Sequence, residues 1–250
     1  MLLLTSGIIL LIHPIGLRSD FLGIPLAIAS LMCVFSIFSS SLKNLWDAHR
    51  AKNRRRVKKL AQWADSKCLS FSTNRLKKIN ETNIKNYRNC SHCNDFRACY
   101  AFNITSGTLD KYRICAFDYF CYLNNGLHLS AIVVETNLKL EPLFISPHCF
   151  IAKIADSARF SNINFESTEF NNQFHVQSSD RRWAYDVVNQ ATMELLLSSC
   201  RFNIEFNGNH VIAYRDELFE VGHFEEALQL LTGILDRLPE SVAQELKERK

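Results

Sequence analysis

The densest run of metal-ligating side chains in this 250-residue sequence is Cys90-Ser91-His92-Cys93, followed by Cys99. Two thiolates separated by two residues can meet one tetrahedral zinc ion from a single turn of chain. His92 or Cys99 would add a third ligand, and Cys115, Cys121 or His128 a fourth. A closed structural site normally draws on a second Cys-x-x-Cys or a His pair, and neither is present. A redox Cys-x-x-Cys belongs where a strand feeds a helix, whereas this one lies in a polar stretch. The nine cysteines, an odd number, suit free thiols on the reducing side of a membrane better than structural disulfides. Cys90, His92, Cys93 and Cys99 therefore stand as candidate zinc ligands beside the plainer reading of free thiols, and no cofactor is expected.

Nucleophilic chemistry has less to work with. His148 and Cys149 are adjacent, but neighbours in an extended segment point to opposite faces. Phe150 and Ile151 follow Cys149, which reads as a small core residue. His175 alternates with Phe174 and Val176 and should face away from them. Asp118, within a strand of aromatics, is either a functional acid or an ordinary strand carboxylate, solvated or paired with a cation. There is no P-loop, GxGxxG, GxSxG or HExxH pattern. No catalytic residue is identified. A membrane-bound hydrolase would need a pocket joining Asp118 or His148 to another titrating group.

The elements that would position these residues begin with a charge asymmetry. The chain has a formal charge of +4. Residues 1–42 carry only Arg18 and Asp20, which cancel. Residues 43–59 hold eight cations, Lys43, Arg50, Lys52, Arg54, Arg55, Arg56, Lys58 and Lys59, against Asp47 alone, a net +7 that leaves −3 for residues 60–250. A nucleic-acid-binding domain would spread its cations over a folded face with aromatics among them. A single basic block behind an apolar region reads instead as a membrane flank, and no nucleic-acid partner is expected.

Residues 21–42 contain no formal charge. At about 1.5 Å per helical residue they reach roughly 33 Å, enough to cross a hydrocarbon core. Residues 1–17 are also uncharged and reach about 26 Å, the short limit for crossing. A transmembrane helical hairpin turning at Arg18-Ser19-Asp20 is the preferred reading. A single span over 21–42 and a cleaved signal peptide are the alternatives. The signal reading suffers from the lack of Lys or Arg ahead of the first apolar run. The positive-inside rule places residues 43–59 in the cytoplasm. All eight cations are candidate membrane-surface residues, each contributing about 1 kcal/mol near anionic headgroups.

Residues 43–66 are expected as a basic juxtamembrane helix, too cationic in its middle to pack into a core. Residues 67–250 are expected as a cytoplasmic α+β domain with a mainly antiparallel sheet and two packing helices. Leu69–Ser72 reads as a short strand. Cys99–Asn103 reads as a strand ending at a Ser106-Gly107 turn. Lys111–Tyr122 and His128–Glu135 form a hairpin about Asn124-Asn125-Gly126. Pro142 and Pro147 bracket an edge strand or connector. Phe174–Val176 is a strand, and Arg181–Cys200 one helix capped by Asp180 or Ser179. Phe202–Phe206 and Val211–Tyr214 form a second hairpin about Asn207-Gly208-Asn209. Phe224–Leu238 is an amphipathic helix stopped by Pro239, with a polar helical tail behind it.

Phe117-Asp118-Tyr119 ahead of a hairpin, Glu135-Thr136, Pro142, Phe144 and Pro147, then Phe170, Phe174, Val176 and Asp180 before a helix and the Asn207-Gly208 pair, resemble a group of uncharacterised bacterial membrane proteins. The resemblance covers about Leu60 to Pro239. The cysteines from Cys90 to Cys121 depart from it. It implies N-terminal transmembrane helices and a cytoplasmic domain of unknown function, and brings no catalytic residues. Together the sequence points to an inner-membrane protein whose domain, on a mobile basic stalk, binds or scaffolds at the membrane surface. Its expected partners are the bilayer with its anionic headgroups and a protein or small molecule. A thiol-metal or redox-sensing module is the alternative, and a membrane-bound hydrolase the further one.

Overall fold

The computed structural model describes residues 43, 47–48, 50–74, 99–121, 127–148 and 160–248. Both apolar runs, 1–17 and 21–42, lie outside them. Among the described residues no helix is long and apolar enough to cross a membrane. The chain divides into two compact units, Met1–Arg54 and Arg55–Lys250. In the first, Lys43, Arg50, Lys52 and Arg54 are helical and exposed.

Residues 51–66 are helical (α1), and the second unit opens within this helix. Arg56, Leu60, Trp63 and Ala64 are all buried. Their spacing of four, three and one puts them on one helical stripe. Trp63 stacks on Phe224 at 5.7 Å between ring centroids. The expectation that the basic middle stays out of the core is corrected here. From Arg55 onward the helix is part of the domain, because Arg56 is neutralised inside it.

The sheet is antiparallel throughout. Its order is β1 (Ser70–Ser72), β2 (Cys99–Leu109), β3 (Tyr112–Cys121), β4 (Leu127–Pro147), β6 (Phe174–Ser178) and β5 (Ser161–Ile163), with β7 (Asn203–Arg215) also paired to β4. β4 is the spine. Arg113 to Cys121 of β3 pair with its first half, β6 pairs with its last five residues, and β7 runs along it from Ser130 to Ile145. Period-2 alternation divides the residues of the central strands between two faces. Ile114, Ala116, Ile132, Val134, Val211 and Ala213 join the core beneath α1 and α5 (Val221–Asp236), and Phe117, Tyr119, Leu129, Ala131, Val133, Ile212 and Tyr214 form a second cluster.

Several turn readings fail for one reason. Gly107 lies inside β2, and a Cβ there would meet Leu69 Cδ2 at 2.8 Å, so this glycine permits close packing rather than a turn. The turn lies at Asp110-Lys111 instead. Asn207-Gly208-Asn209 lies inside β7, where Gly208 takes φ +59 and the ladder to β4 shifts register. Positive φ here serves a bulge, not a hairpin. Leu143-Phe144-Ile145 is central, not an edge: Leu143 and Ile145 are fully buried between β6 and β7. Pro142, lacking an N–H, falls where the ladder skips between Leu140 and Leu143.

The β3–β4 hairpin pairs in register from Arg113↔Glu135 to Cys121↔Leu127, and its turn lies outside the described residues. The expected helix 181–200 is two, α3 (Arg181–Val187) and α4 (Gln190–Ser198). Asp180 caps the first by accepting from Trp183 N. Asn189 caps the second by accepting from Thr192 N, a break that the continuous apolar spacing concealed. A short α2 (Thr168–Asn171) precedes β6. α5 buries Phe224, Ala227, Leu228, Leu231 and Ile234. The tail α6 (Glu240–Glu248) anchors through Val242 and Leu246.

Candidate functional site

The only charged side chains buried among the described residues are Arg56 and Asp118. In β3 and the first half of β4 the even positions join the helix-side core, so Asp118 and Ser130 meet directly beneath α1. Arg56 Nη1 donates to Asp118 Oδ2 at 2.6 Å and Nη2 to Oδ1 at 2.8 Å, a bidentate pair. Asn103 Nδ2 donates to Oδ2 at 2.7 Å, and the Ser130 hydroxyl to Oδ1 at 2.5 Å. Arg56 Nε donates to the Phe219 carbonyl at 2.7 Å, while Phe219 N donates to Ser130 Oγ at 2.9 Å. Asn103 gets there through a β2 bulge, in which it adopts φ 51. The cluster joins α1, β2, β3, β4 and, through Phe219, the segment leading into α5.

Both carboxylate oxygens are saturated, and Asp118 is 0% exposed. Its acceptor oxygens are all turned inward to protein donors and have no surface open to solvent. The cluster is a clamp. It settles the two readings of Asp118 in favour of a paired charge, and it corrects one membrane-surface assignment, since buried Arg56 cannot reach headgroups. Arg55, Lys58 and Lys59, on the same helix, are exposed.

Of the zinc candidates, Cys90, His92 and Cys93 lie outside the described residues, and Cys99 begins β2 opposite Cys121. No group of three metal-ligating side chains occurs among the described residues. Cys68, Cys115 and Cys200 are free thiols. Burial, with help from Glu135, pushes the Cys115 thiol up to about 12, so it does not react as a thiolate at neutral pH. Cys149 is outside the described residues. His148 and His175 stack at 3.9 Å, and His148 Nε2 lies 2.9 Å from the Asn171 carbonyl. Partial burial, and then the His148 ring, hold His175 below its ordinary value. As expected, His175 is exposed between buried Phe174 and Val176. Asp118 is fully buried beneath α1 while His148 stacks on His175 of β6, so the residues named for hydrolysis are not brought together.

A cleft of about 530 Å³ that the sequence did not flag lies between the β2–β3 turn and α5. At one end Asp236 Oδ1 accepts from Lys111 Nζ at 2.7 Å and from the Tyr112 hydroxyl at 2.9 Å. Burial, with the Asp236 hydrogen bond, pushes Tyr112 up to about 12. At the other end Glu225 accepts from Lys67 Nζ, Gln229 Nε2 and Trp63 Nε1. Burial would raise Glu225, but these hydrogen bonds outweigh it and leave the carboxyl below its ordinary value. Glu225, Gln229, Thr232 and Asp236 recur at four, three and four residues along α5. That spacing marks a polar stripe beside the apolar one, the single sequence signal for this cleft.

No family model and no curated protein matches the chain. The fold is similar to the crystal structure of the mycobacterial trehalose monomycolate transport factor A, with a TM-score of 0.55 and 11% identity over 74% of this chain and 97% of that one. A likeness at that identity is one of fold.

Proposed function

We propose that this chain is a membrane-anchored binding or scaffolding protein whose domain works at the cytoplasmic face of an inner membrane, one of the bacterial group its motifs resemble. The observation that carries the reading is α1. Its inner side is clamped to the sheet through Arg56 and Asp118, while Arg55, Lys58 and Lys59 are exposed. The three exposed cations belong to the same compact unit as the sheet, so contact with anionic headgroups would orient the domain and not merely tether it. Among the described residues the buried ionic cluster is fully satisfied, in keeping with a structural clamp. The similar fold belongs to a protein named as a trehalose monomycolate transport factor, and a transport-related binding role would accord with the reading.

Lysine footprinting tests this. The full chain is reconstituted in nanodiscs of phosphatidylcholine alone or with phosphatidylglycerol, and Lys58 and Lys59 acylation rates are read by mass spectrometry. Lys111, in the β2–β3 turn, is the internal reference. The expected result is several-fold slower acylation of Lys58 and Lys59 in anionic discs, reversed by salt. Equal rates in both discs would refute headgroup contact.

A further inference from the structure

We infer that the cleft between the β2–β3 turn and α5 binds a neutral, hydroxyl-rich ligand, a saccharide or the saccharide head of a lipid, gripped between the Lys67–Glu225 and Lys111–Asp236 pairs. The inference stands apart from the membrane-surface reading, since none of its residues is among the proposed headgroup contacts. Its volume of about 530 Å³ suits a small ligand. Glu225 and Asp236 are eleven residues apart on one helix, roughly 16 Å, so the two ion pairs mark opposite ends. Between them lie Leu109 and buried Leu228, an apolar strip fit for ring C–H groups.

Charge decides the ligand class. Each lysine already has a carboxylate within 2.9 Å, and Asp110 adds a third acid against two ammoniums. A phosphate or carboxylate would share each lysine with a carboxylate already bound to it and face three acids against two ammoniums. A cation could pair with exposed Asp110 at the rim, but at either end it would have to displace a lysine. A polyol meets neither obstacle. Each ammonium has three donors, and each carboxylate about four acceptor sites. Spare donors and spare lone pairs therefore remain at both ends while the ion pairs persist. Vicinal hydroxyls, each donor and acceptor at once, are complementary to that pattern.

The test uses the full chain in phosphatidylcholine nanodiscs, with maltose as the probe, followed by saturation-transfer NMR. Transfer to maltose ring protons is expected with millimolar affinity. Asp236→Asn should weaken it at least fivefold, and Gln229→Ala, which leaves both ion pairs in place, more modestly. Asp236 is half exposed, so its variant should keep the wild-type circular dichroism and melting curve. A second arm places glucosyl-diacylglycerol in the discs. Displacement of maltose would identify a lipid-borne sugar as the better ligand, and no displacement a free one. The inference is overturned if maltose shows no transfer at about 20 mM, if Asp236→Asn leaves transfer unchanged, or if phosphoethanolamine outcompetes maltose.

Discussion

Replacing Arg56 by Met keeps most of the side-chain stem and removes the guanidinium. Asp118, with no exposed surface, would be left with Asn103 and Ser130 as its remaining donors. The Phe219 carbonyl would lose the Arg56 Nε donor. Removing one partner of a buried pair costs about 3–5 kcal/mol, chiefly because the other charge stays buried without compensation. For a domain of this size 1 kcal/mol moves the melting temperature about 2–4 °C, so the expected fall is roughly 6–20 °C. Asp118→Leu should cost a similar amount by stranding the guanidinium. Combining the two removes both charges at once, and the double variant should be more stable than the summed losses imply by about 2–3 kcal/mol. Urea and thermal unfolding of the full chain in detergent, followed by far-UV circular dichroism, measures all three against Arg55→Met. That exposed control should change stability by less than about 0.5 kcal/mol. If Arg56→Met matches Arg55→Met, or if the two losses simply add, the clamp does not hold α1 to the sheet.

Glu225, held below its ordinary value of 4.5 in the folded chain, contributes stability that is fully present above that value and is lost as pH falls through the depressed one. Glu225→Gln should therefore flatten the acid limb of a stability-against-pH curve and leave the limb above pH 7 unchanged. His175 titrates low, so the unfolded chain takes up its proton first as pH falls below 6.5, and stability drops there. In His148→Ala, NMR titration should show the His175 value moving back toward 6.5. Gly107→Ala should cost about 1–2 kcal/mol through Leu69, and the Leu69→Ala background should relieve that cost. Gly208→Ala meets no atom within 4 Å, and should cost about 1 kcal/mol from backbone strain alone. Urea midpoints would separate these two mechanisms.

Residues whose neighbours in sequence are also their neighbours in space were legible beforehand. The β3–β4 hairpin, β6 with His175 turned outward, the Asp180 cap and α5 all follow from local periodicity and local hydrogen bonds. Failures cluster where the same residue type serves two physical ends. Gly107 and Gly208 carry turn signals, yet one admits Leu69 and the other a bulge. Pro142 signals an edge, yet a skipped ladder position tolerates it at the centre. Asn189 is an unremarkable polar residue until its side chain caps a second helix. Arg56 is hidden for a different reason. In a run of eight cations nothing local distinguishes the one whose partner is 62 positions away. Leu60, Trp63 and Ala64 hinted that this end of the helix packs, and stepping back four residues from Leu60 reaches Arg56. The cleft needs the β2–β3 turn and α5 to meet, which no local pattern encodes.

The proposed headgroup contact requires the domain to occupy the cytoplasmic side of the membrane. A reporter active only in the cytoplasm, fused after Lys250 of the full chain in a bacterial host, tests that directly. A fluorescent, protease-protected fusion in intact spheroplasts is the predicted result. A dark fusion whose domain is digested from outside would contradict both the orientation and the proposed headgroup contact.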